Sequence, residues 1–303
     1  MFVSLVIPTY NRIEDLKKTL PQISEILNEK SELILYDQSD SYDPVQFSNQ
    51  VRELIGNKNY KYIHSTVPSV TLAWNTAATF ASGEILLFLD DDIDLISDII
   101  DDHKSYYEKH PDIIGVAGSY YAGAMDRPWI PGSKNGNATT CAGVNMSIRT
   151  ETFRSAGTVS DYIKPFAPFD WEIAEYLNQH HGGLAVGDDI FVFHRAPASG
   201  GCENQAKRGI SWYYGCYFNH FLWLLSRKGF FKFSRIPRHF YWLFKYCLPS
   251  RDVLLTKDFF TRALYPSLQD AFKKHRENHG KRMSEQTVVY KVISSNSLEN
   301  SKI

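Results

Sequence analysis

Along the first half of the chain, short runs of apolar and β-branched residues alternate with longer segments whose apolar positions fall three and four apart. Phe2-Val3-Ser4-Leu5-Val6-Ile7 reads as a strand. The turn Pro8-Thr9-Tyr10-Asn11-Arg12 then launches a helix over 13–27 that Pro21 should kink or divide. Strands follow at 32–36 and 61–64, helices at 45–54 and 70–81, and Ser82-Gly83 leads into Ile85-Leu86-Leu87-Phe88-Leu89. Five apolar residues are too few for a buried helix and suit a strand covered on both faces, as in a parallel sheet. A helix over 96–109 and a strand over 113–118 continue the βα alternation, whose crossovers are expected to be right-handed. The pattern predicts an α/β fold with a doubly wound, mostly parallel sheet of the nucleotide-binding type.

Beyond residue 120 the pattern loosens. Residues 120–140 read as a long loop, rich in Gly, Pro and Asn, of the kind that orders over a ligand. A strand is expected at 142–149, a helix from 151, and another opening at Phe169-Asp170-Trp171-Glu172 and stopping at Gly182-Gly183. Two short strands, 184–186 and 190–193, lead to His194.

Polar groups close the predicted strands at Thr9, Asp37, Asp90-Asp91-Asp92 and His194. If the strands are parallel neighbours, these groups share one sheet edge, where open α/β sheets bind ligands. Three successive carboxylates repel one another unless a cation sits among them. Mg²⁺ or Mn²⁺, held by one or two carboxylates, keeps its other positions for water and phosphates. Each residue also has a structural reading. Asp90 to Asp92 can cap the next helix, Asp37 can form an Asx turn, Asn75 can face solvent from its helix, and His194 can be a core histidine bonded to a carbonyl.

Composition narrows the field. A net charge of −1 gives no electrostatic reason to expect nucleic acid. The four cysteines, Cys141, Cys202, Cys216 and Cys247, are scattered without a C-x-x-C pair, which suits reduced thiols in a cytosolic protein rather than disulfides or zinc. The N-terminus lacks a basic n-region, and no apolar run reaches the ~18 residues of a spanning helix, so neither a signal peptide nor a membrane span is expected.

Ser4-Leu5-Val6-Ile7-Pro8-Thr9-Tyr10-Asn11-Arg12 resembles the opening strand of the family 2 glycosyltransferases, inverting enzymes of the GT-A fold. The run from Ser82-Gly83-Glu84 to Leu89-Asp90-Asp91-Asp92 resembles their metal-binding D-x-D segment, and Gly143-Val144-Asn145-Met146-Ser147-Ile148-Arg149 is similar to their acceptor-side strand. The resemblance implies transfer of a sugar from a nucleoside-diphosphate sugar to a hydroxyl. It implies nucleotide-sugar contacts from Pro8, Thr9, Tyr10, Arg12, Asp37, Asn75, Asp90 and Asp91, and Mg²⁺ or Mn²⁺ on Asp92, Asp90 and His194. It further implies Asp170 as catalytic base, with Asn145, Trp171 and Glu172 on the acceptor side. Three positions depart from the family pattern. Phe169 stands where the family has Glu, Asp37-Gln38-Ser39-Asp40 replaces D-D-G-S-x-D, and Trp74 replaces an arginine for which Arg12 or Arg149 could compensate.

On this reading residues 1–203 form the catalytic domain, with a nucleotide-sugar half (1–119) and an acceptor half (120–203). Residues 204–303 form a basic, aromatic, helical region ending in a disordered tail from 294. Between 204 and 251 there is no acidic residue, while Lys and Arg interleave with Trp, Tyr and Phe. Cations beside aromatics suit peripheral contact with an anionic membrane, here the inner face of the cytoplasmic membrane; packing of these aromatics onto the catalytic domain is the alternative. The competing functional readings are a non-catalytic sugar-nucleotide or membrane-docking module and a sugar-phosphate nucleotidyltransferase. The latter lacks its glycine-rich phosphate loop at Pro8-Thr9-Tyr10-Asn11-Arg12.

Overall fold

The structure, a computed structural model, describes residues 1–123, 127–156, 169–196, 209–226, 241, 256–277 and 290–295. The chain divides into two compact units: Met1–Thr158, Asp170–Gly201 and Gln286–Ile303 in the first, Val159–Phe169 and Cys202–Glu285 in the second.

The first unit opens with β1 (Val3–Thr9), α1 (Ile13–Ile26), β2 (Ser31–Asp37), α2 (Pro44–Ile55), β3 (Tyr60–Ser65), α3 (Val70–Phe80) and β4 (Ile85–Leu89). It continues with β5 (Ile93–Leu95), α4 (Ile99–Lys109), β6 (Gly115–Ala122), β7 (Ser133–Lys134), β8 (Asn137–Ala138), β9 (Asn145–Arg149) and α5 (Thr150–Ala156). Then come α6 (Phe169–His180), β10 (Ala185–His194) and, near the end of the chain, β11 (Tyr290–Ser295). Among the described residues these strands form one sheet in the order β11-β3-β2-β1-β4-β9-β6-β10-β8-β7, with β5 joined to β10.

β1 runs parallel to β2 and β4. β9 is inserted antiparallel to both β4 and β6, and β10 is parallel to β6. The carboxyl ends of β1, β2, β4, β6 and β10 therefore share one edge. Helices cover both faces, as the unbroken apolar run of β4 requires. Ile85, Leu87 and Leu89 join the core under α1, α2 and α4. On the opposite face Phe88 packs between Trp74 of α3 and Phe153 of α5, with ring centroids 4.8 and 5.1 Å apart. Trp74, in place of the family's arginine, is thus a core residue.

Two polar arrangements fix this frame. At the amino end of the strands, buried Glu32 accepts from Ser4 Oγ and from Ser82 N (both 2.6 Å) and pairs with Lys61. Lys61 also donates to Phe80 O (2.9 Å), where a cation meets the negative end of α3. A Cβ on Gly83 would lie 2.6 Å from Ser4 N, so only glycine allows β4 to enter beside β1 at that corner.

The second arrangement lies below the carboxyl edge. Asn145 Nδ2 donates to Ser119 O (2.9 Å) and Ile190 O (3.0 Å), which orients the amide so that its Oδ1 receives His103 Nε2 (2.9 Å). His103 Nδ1 then accepts from Ser147 Oγ (2.8 Å), itself 3.1 Å from Tyr107 OH. Asn145, fully buried, joins β6, β9 and β10 and does not reach an acceptor, contrary to the expectation from sequence. Arg149 is likewise displaced: it pairs opposite Ile85 at the far end of β9 and donates to Ile113 O (2.7 Å), so it cannot replace a cation near the nucleotide.

Several expectations change. Pro21 sits inside one continuous helix, α1, rather than dividing it. Its missing N–H frees a carbonyl one turn earlier, and Gln22 Nε2 donates to the neighbouring carbonyl of Lys18 (2.9 Å). The two short strands before His194 are one strand, β10, with a register shift between Val186 and Phe191. Within 120–140 Trp129 and Tyr120 exchange backbone hydrogen bonds and β7 pairs with β8, so this stretch is partly sheet. Ser294 and Ser295, assigned to a tail, belong to β11, which pairs antiparallel with β3. The β-formers Tyr290-Lys291-Val292-Ile293 supply a strand where the composition of the last residues suggested only disorder.

In the second unit the described residues form α7 (Ile210–Ser226), a π-helical turn (Phe259–Leu264) and α8 (Tyr265–Glu277). Phe259 is buried against Tyr213 and Tyr217, at centroid distances of 6.0 and 5.8 Å. Trp212, Tyr213, Tyr217, Phe218 and Phe221 of α7 are buried. The basic and aromatic positions of 204–251 that are not in α7, Tyr241 excepted, lie outside the described residues, as do Cys202 and Cys247. Among the described residues no helix is long and apolar enough to cross a membrane.

Burial pushes the His103 pKa down to about 4, against the hydrogen bond it donates to Asn145 Oδ1, so the imidazole is neutral near pH 7. The unfolded chain binds a proton near pH 6.5 and the folded one does not until about pH 4, so this group's contribution is complete above 6.5 and is lost as pH falls. The loss should reach on the order of 3 kcal/mol by pH 4. Urea titrations at stepped pH should show His103→Gln with a shallower dependence than wild type over that window.

Candidate functional site

The acidic run leaves β4 at the carboxyl edge, and its three carboxylates take different directions. Asp91 turns inward: Thr9 Oγ1 donates to its Oδ2 (2.7 Å), Arg12 to its Oδ1 (3.1 Å), and Thr19 Oγ1 to its backbone carbonyl (2.8 Å). Burial pushes its pKa up to about 7, and Arg12 and Thr9 restrain the rise. Asp92 is buried too. Its Oδ2 accepts from Arg12 (2.7 Å), and its Oδ1 lies 3.0 Å from His194 Nε2, an ion pair when the imidazole is protonated. Burial opposes its ionisation, but His194, Arg12 and Arg195 outweigh it and hold the carboxyl below its ordinary range. Asp90 remains more open, with Oδ2 3.8 Å from the same imidazole nitrogen; burial and then the charge of Asp92 raise its pKa. Burial alone would lower the His194 pKa, but the two carboxylates raise it.

Asp90, Asp92 and His194 each offer one ligand atom, and these atoms lie within 4.8 Å of one another. Oδ1 of Asp92 is buried and faces His194 Nε2 across this small space, so in this form a protonated imidazole is its positive partner. Two carboxylate oxygens with one imidazole nitrogen also suit a divalent cation, which would take the place of that proton. The residues present therefore fit a metal.

Arg195, which the sequence reading passed over, sets this geometry. Its backbone N–H donates to Asp92 O (2.9 Å). Its guanidinium donates to Asp15 O (3.0 Å) and Thr19 Oγ1 (2.7 Å) of α1, and to Ile93 O and Asp94 of the β5 segment. One side chain thereby ties the end of β10, and so His194, to the elements that carry Asp92. Nothing but its adjacency to His194 marked it in the sequence, and Thr19 looked like an ordinary helix residue.

Asp170 lies in the first turn of α6. Its Oδ2 accepts a long bond from Gly143 N (3.4 Å), and its Oδ1 is buried with no hydrogen bond among the described residues. Burial, then the negative charge of Asp90, pushes its pKa up to about 8. That electrostatic coupling places Asp170 in the neighbourhood of the acidic run. Glu172, on the same helix, is half-buried.

Thr9, Arg12, Asp37 and Asp91, expected at the nucleotide, are each engaged by protein groups in this form. Asp37 is fully buried and accepts from Ser39 N (2.9 Å), Tyr42 OH (3.1 Å) and Tyr62 OH, so the Asx-turn reading holds. Nearby, Asn11, with φ at 53°, bonds Asp40 and Ser41 and draws the loop after β1 onto the loop after β2. Pro8, Tyr10 and Asn75 are half-buried and Asp90 is partly open.

If Arg195 positions the ligand atoms, Arg195→Lys keeps the charge but cannot span the same acceptors. Its affinity for Mn²⁺, read from the paramagnetic resonance of the free ion, should fall on the order of tenfold, and Asp92→Asn should fall further.

Comparison with known proteins agrees with this architecture. The mannosyltransferase PcManGT from Pyrobaculum calidifontis, solved with GDP-Man and Mn²⁺, matches with a TM-score of 0.55 at 16% identity, over 92% of this chain and 81% of that one. S. aureus TarS 1-349, solved with UDP-GlcNAc, matches with a TM-score of 0.61 at 15% identity, over 91% and 80%. At such identities the likeness concerns the fold, which is GT-A. No curated protein sequence matches. The sequence does match glycosyl transferase family 2 over residues 4–177, more than half of the chain, and the protein therefore belongs to that family of glycosyltransferases.

Proposed function

We propose that this enzyme moves a sugar, with inversion at its anomeric carbon, from a nucleoside-diphosphate sugar to a hydroxyl of a saccharide or lipid-linked acceptor. The reaction is metal-dependent and serves surface polysaccharide or glycolipid synthesis at the inner face of the cytoplasmic membrane. The observation that carries this reading is the meeting of Asp90, Asp92 and His194 ligand atoms within 4.8 Å, with the Asp170 carboxyl inside the field of Asp90. Mg²⁺ or Mn²⁺ held by these three residues would stabilise the charge of the departing diphosphate. An imidazole ligand favours Mn²⁺, since Mg²⁺ prefers oxygen.

The chain's own part is proton transfer and orientation. Asp170 Oδ1, with no competing hydrogen bond among the described residues, accepts the proton of the acceptor hydroxyl. As the hydroxyl oxygen bonds to the anomeric carbon, the bond from that carbon to the diphosphate oxygen breaks, and the diphosphate leaves with the electron pair. A base whose pKa lies near neutrality suits this step, which general-base catalysis accelerates by about 10²- to 10⁴-fold. Pro8, Tyr10, Asn75 and Asp90 line the donor side; Trp171 and Glu172 belong to the acceptor side.

GDP-mannose and UDP-N-acetylglucosamine, bound by the two solved relatives, are the first donors to test with Mn²⁺. Asp170→Asn should lower diphosphate release at least about 100-fold with calorimetric nucleotide affinity retained. If that variant stays active and Glu172→Gln abolishes transfer, the base is Glu172. Because Asp170 must be ionised to accept a proton, kcat/KM should rise with pH; its pKa of about 8 without metal sets the upper bound for the half-maximum, since the Mn²⁺ that the reaction needs offsets the charge of Asp90.

A further inference from the structure

Helix α8 is built with its large apolar side chains outward. Ser267 and Ala271, and Ala263 just before the helix, form its inner face and are fully buried. Tyr265, Leu268 and Phe272, at spacings that stack on one face, are exposed to 61%, 36% and 45%. Phe260 in the preceding π-helical turn is 50% exposed, whereas its neighbour Phe259 is buried. A surface helix of a soluble domain ordinarily shows the reverse arrangement. Exposed Lys257, Arg262, Lys273 and Arg276 surround this stripe. Of the nearby acids, Asp258 lies against Arg262 (3.5 Å), Asp270 accepts from Tyr214 OH (2.6 Å) and Glu277 is exposed at the end of α8, so that over 256–277 five Lys and Arg stand against three acids.

We infer that the outer face of α8, with Phe260, is a docking surface for an anionic lipid interface. Aromatic and aliphatic side chains enter the headgroup boundary of a bilayer while flanking Lys and Arg meet acidic headgroups, the arrangement of helices that lie in the membrane plane. In the sequence, the preceding stretch 204–251 likewise has no acidic residue while Lys and Arg recur. This names the structural element for the membrane clause of the proposed function. Vesicle binding needs neither donor, metal nor catalysis, so its outcome is independent of the transfer chemistry.

The full chain is sedimented with vesicles of phosphatidylcholine alone or mixed with phosphatidylglycerol. Wild type should bind the anionic vesicles at low salt, and binding should decline as ionic strength rises. Leu268→Glu with Phe272→Glu should reduce binding on the order of tenfold. Lys273→Gln with Arg276→Gln should weaken binding to anionic vesicles several-fold. All four positions are exposed, and circular dichroism checks that both variants fold. No binding by wild type at low salt, or equal binding by both variants, overturns the proposal. A concentration-dependent dimer abolished by the Glu pair also overturns it, assigning the face to a second copy of the chain.

Discussion

Placing three successive carboxylates at the end of a buried strand is costly unless positive charge arrives from elsewhere in the fold. Arg12, from the turn after β1, takes one oxygen of Asp91 and one of Asp92. Arg195, from the end of β10, closes around the backbone of the same segment and adds its charge nearby. The acidic run is thereby divided. Asp91 becomes internal framework, while Asp92 is held by one oxygen with the other left facing His194. A site that must receive a cation benefits from one such fixed oxygen, shared only with an imidazole that can give up its proton; an unrestrained carboxylate would first have to be ordered.

The sheet beneath is equally constrained. The chain of bonds from Tyr107 through Ser147 and His103 to Asn145 ends on carbonyls of β6 and β10, so α4 and three strands move together. A Cβ on Gly118 would lie 2.4 Å from Asn145 Nδ2, which explains the glycine beside that amide. At the opposite end, the Glu32 and Lys61 pair fixes the corner from which β4 departs. Rigid support at both ends lets the carboxyl edge hold side chains to the tolerance that catalysis needs.

The fold was legible where periodicity carries it: the βα alternation, the doubly covered strand 85–89 and the polar strand ends all appear in the sequence. The antiparallel insertion of β9 was not, because pairing direction leaves no local mark. Of the site, Asp90, Asp92 and His194 do converge. Thr9, Asp37 and Asp91 proved to be internal for a common reason: a short polar side chain at a strand end looks the same whether it turns out to a ligand or in to a tyrosine, threonine or arginine. Only three-dimensional partners such as Tyr42, Tyr62 and Arg12 separate the two. Asn145 misled similarly, since an amide that binds three internal partners cannot be told from one that binds a sugar.

β11 gives the chain a route that a plain order of domains would not suggest. The polypeptide enters the second unit over Val159–Phe169 and again from Cys202 to Glu285, and comes back from Gln286 to lay a strand beside β3. Truncating the protein after the second unit would strip the outermost rung from the ladder and leave the N–H and C=O groups of β3 facing water, a ready template for chance pairing with other chains. The last residues are therefore a seal on the sheet, and solubility as much as folding rests on them.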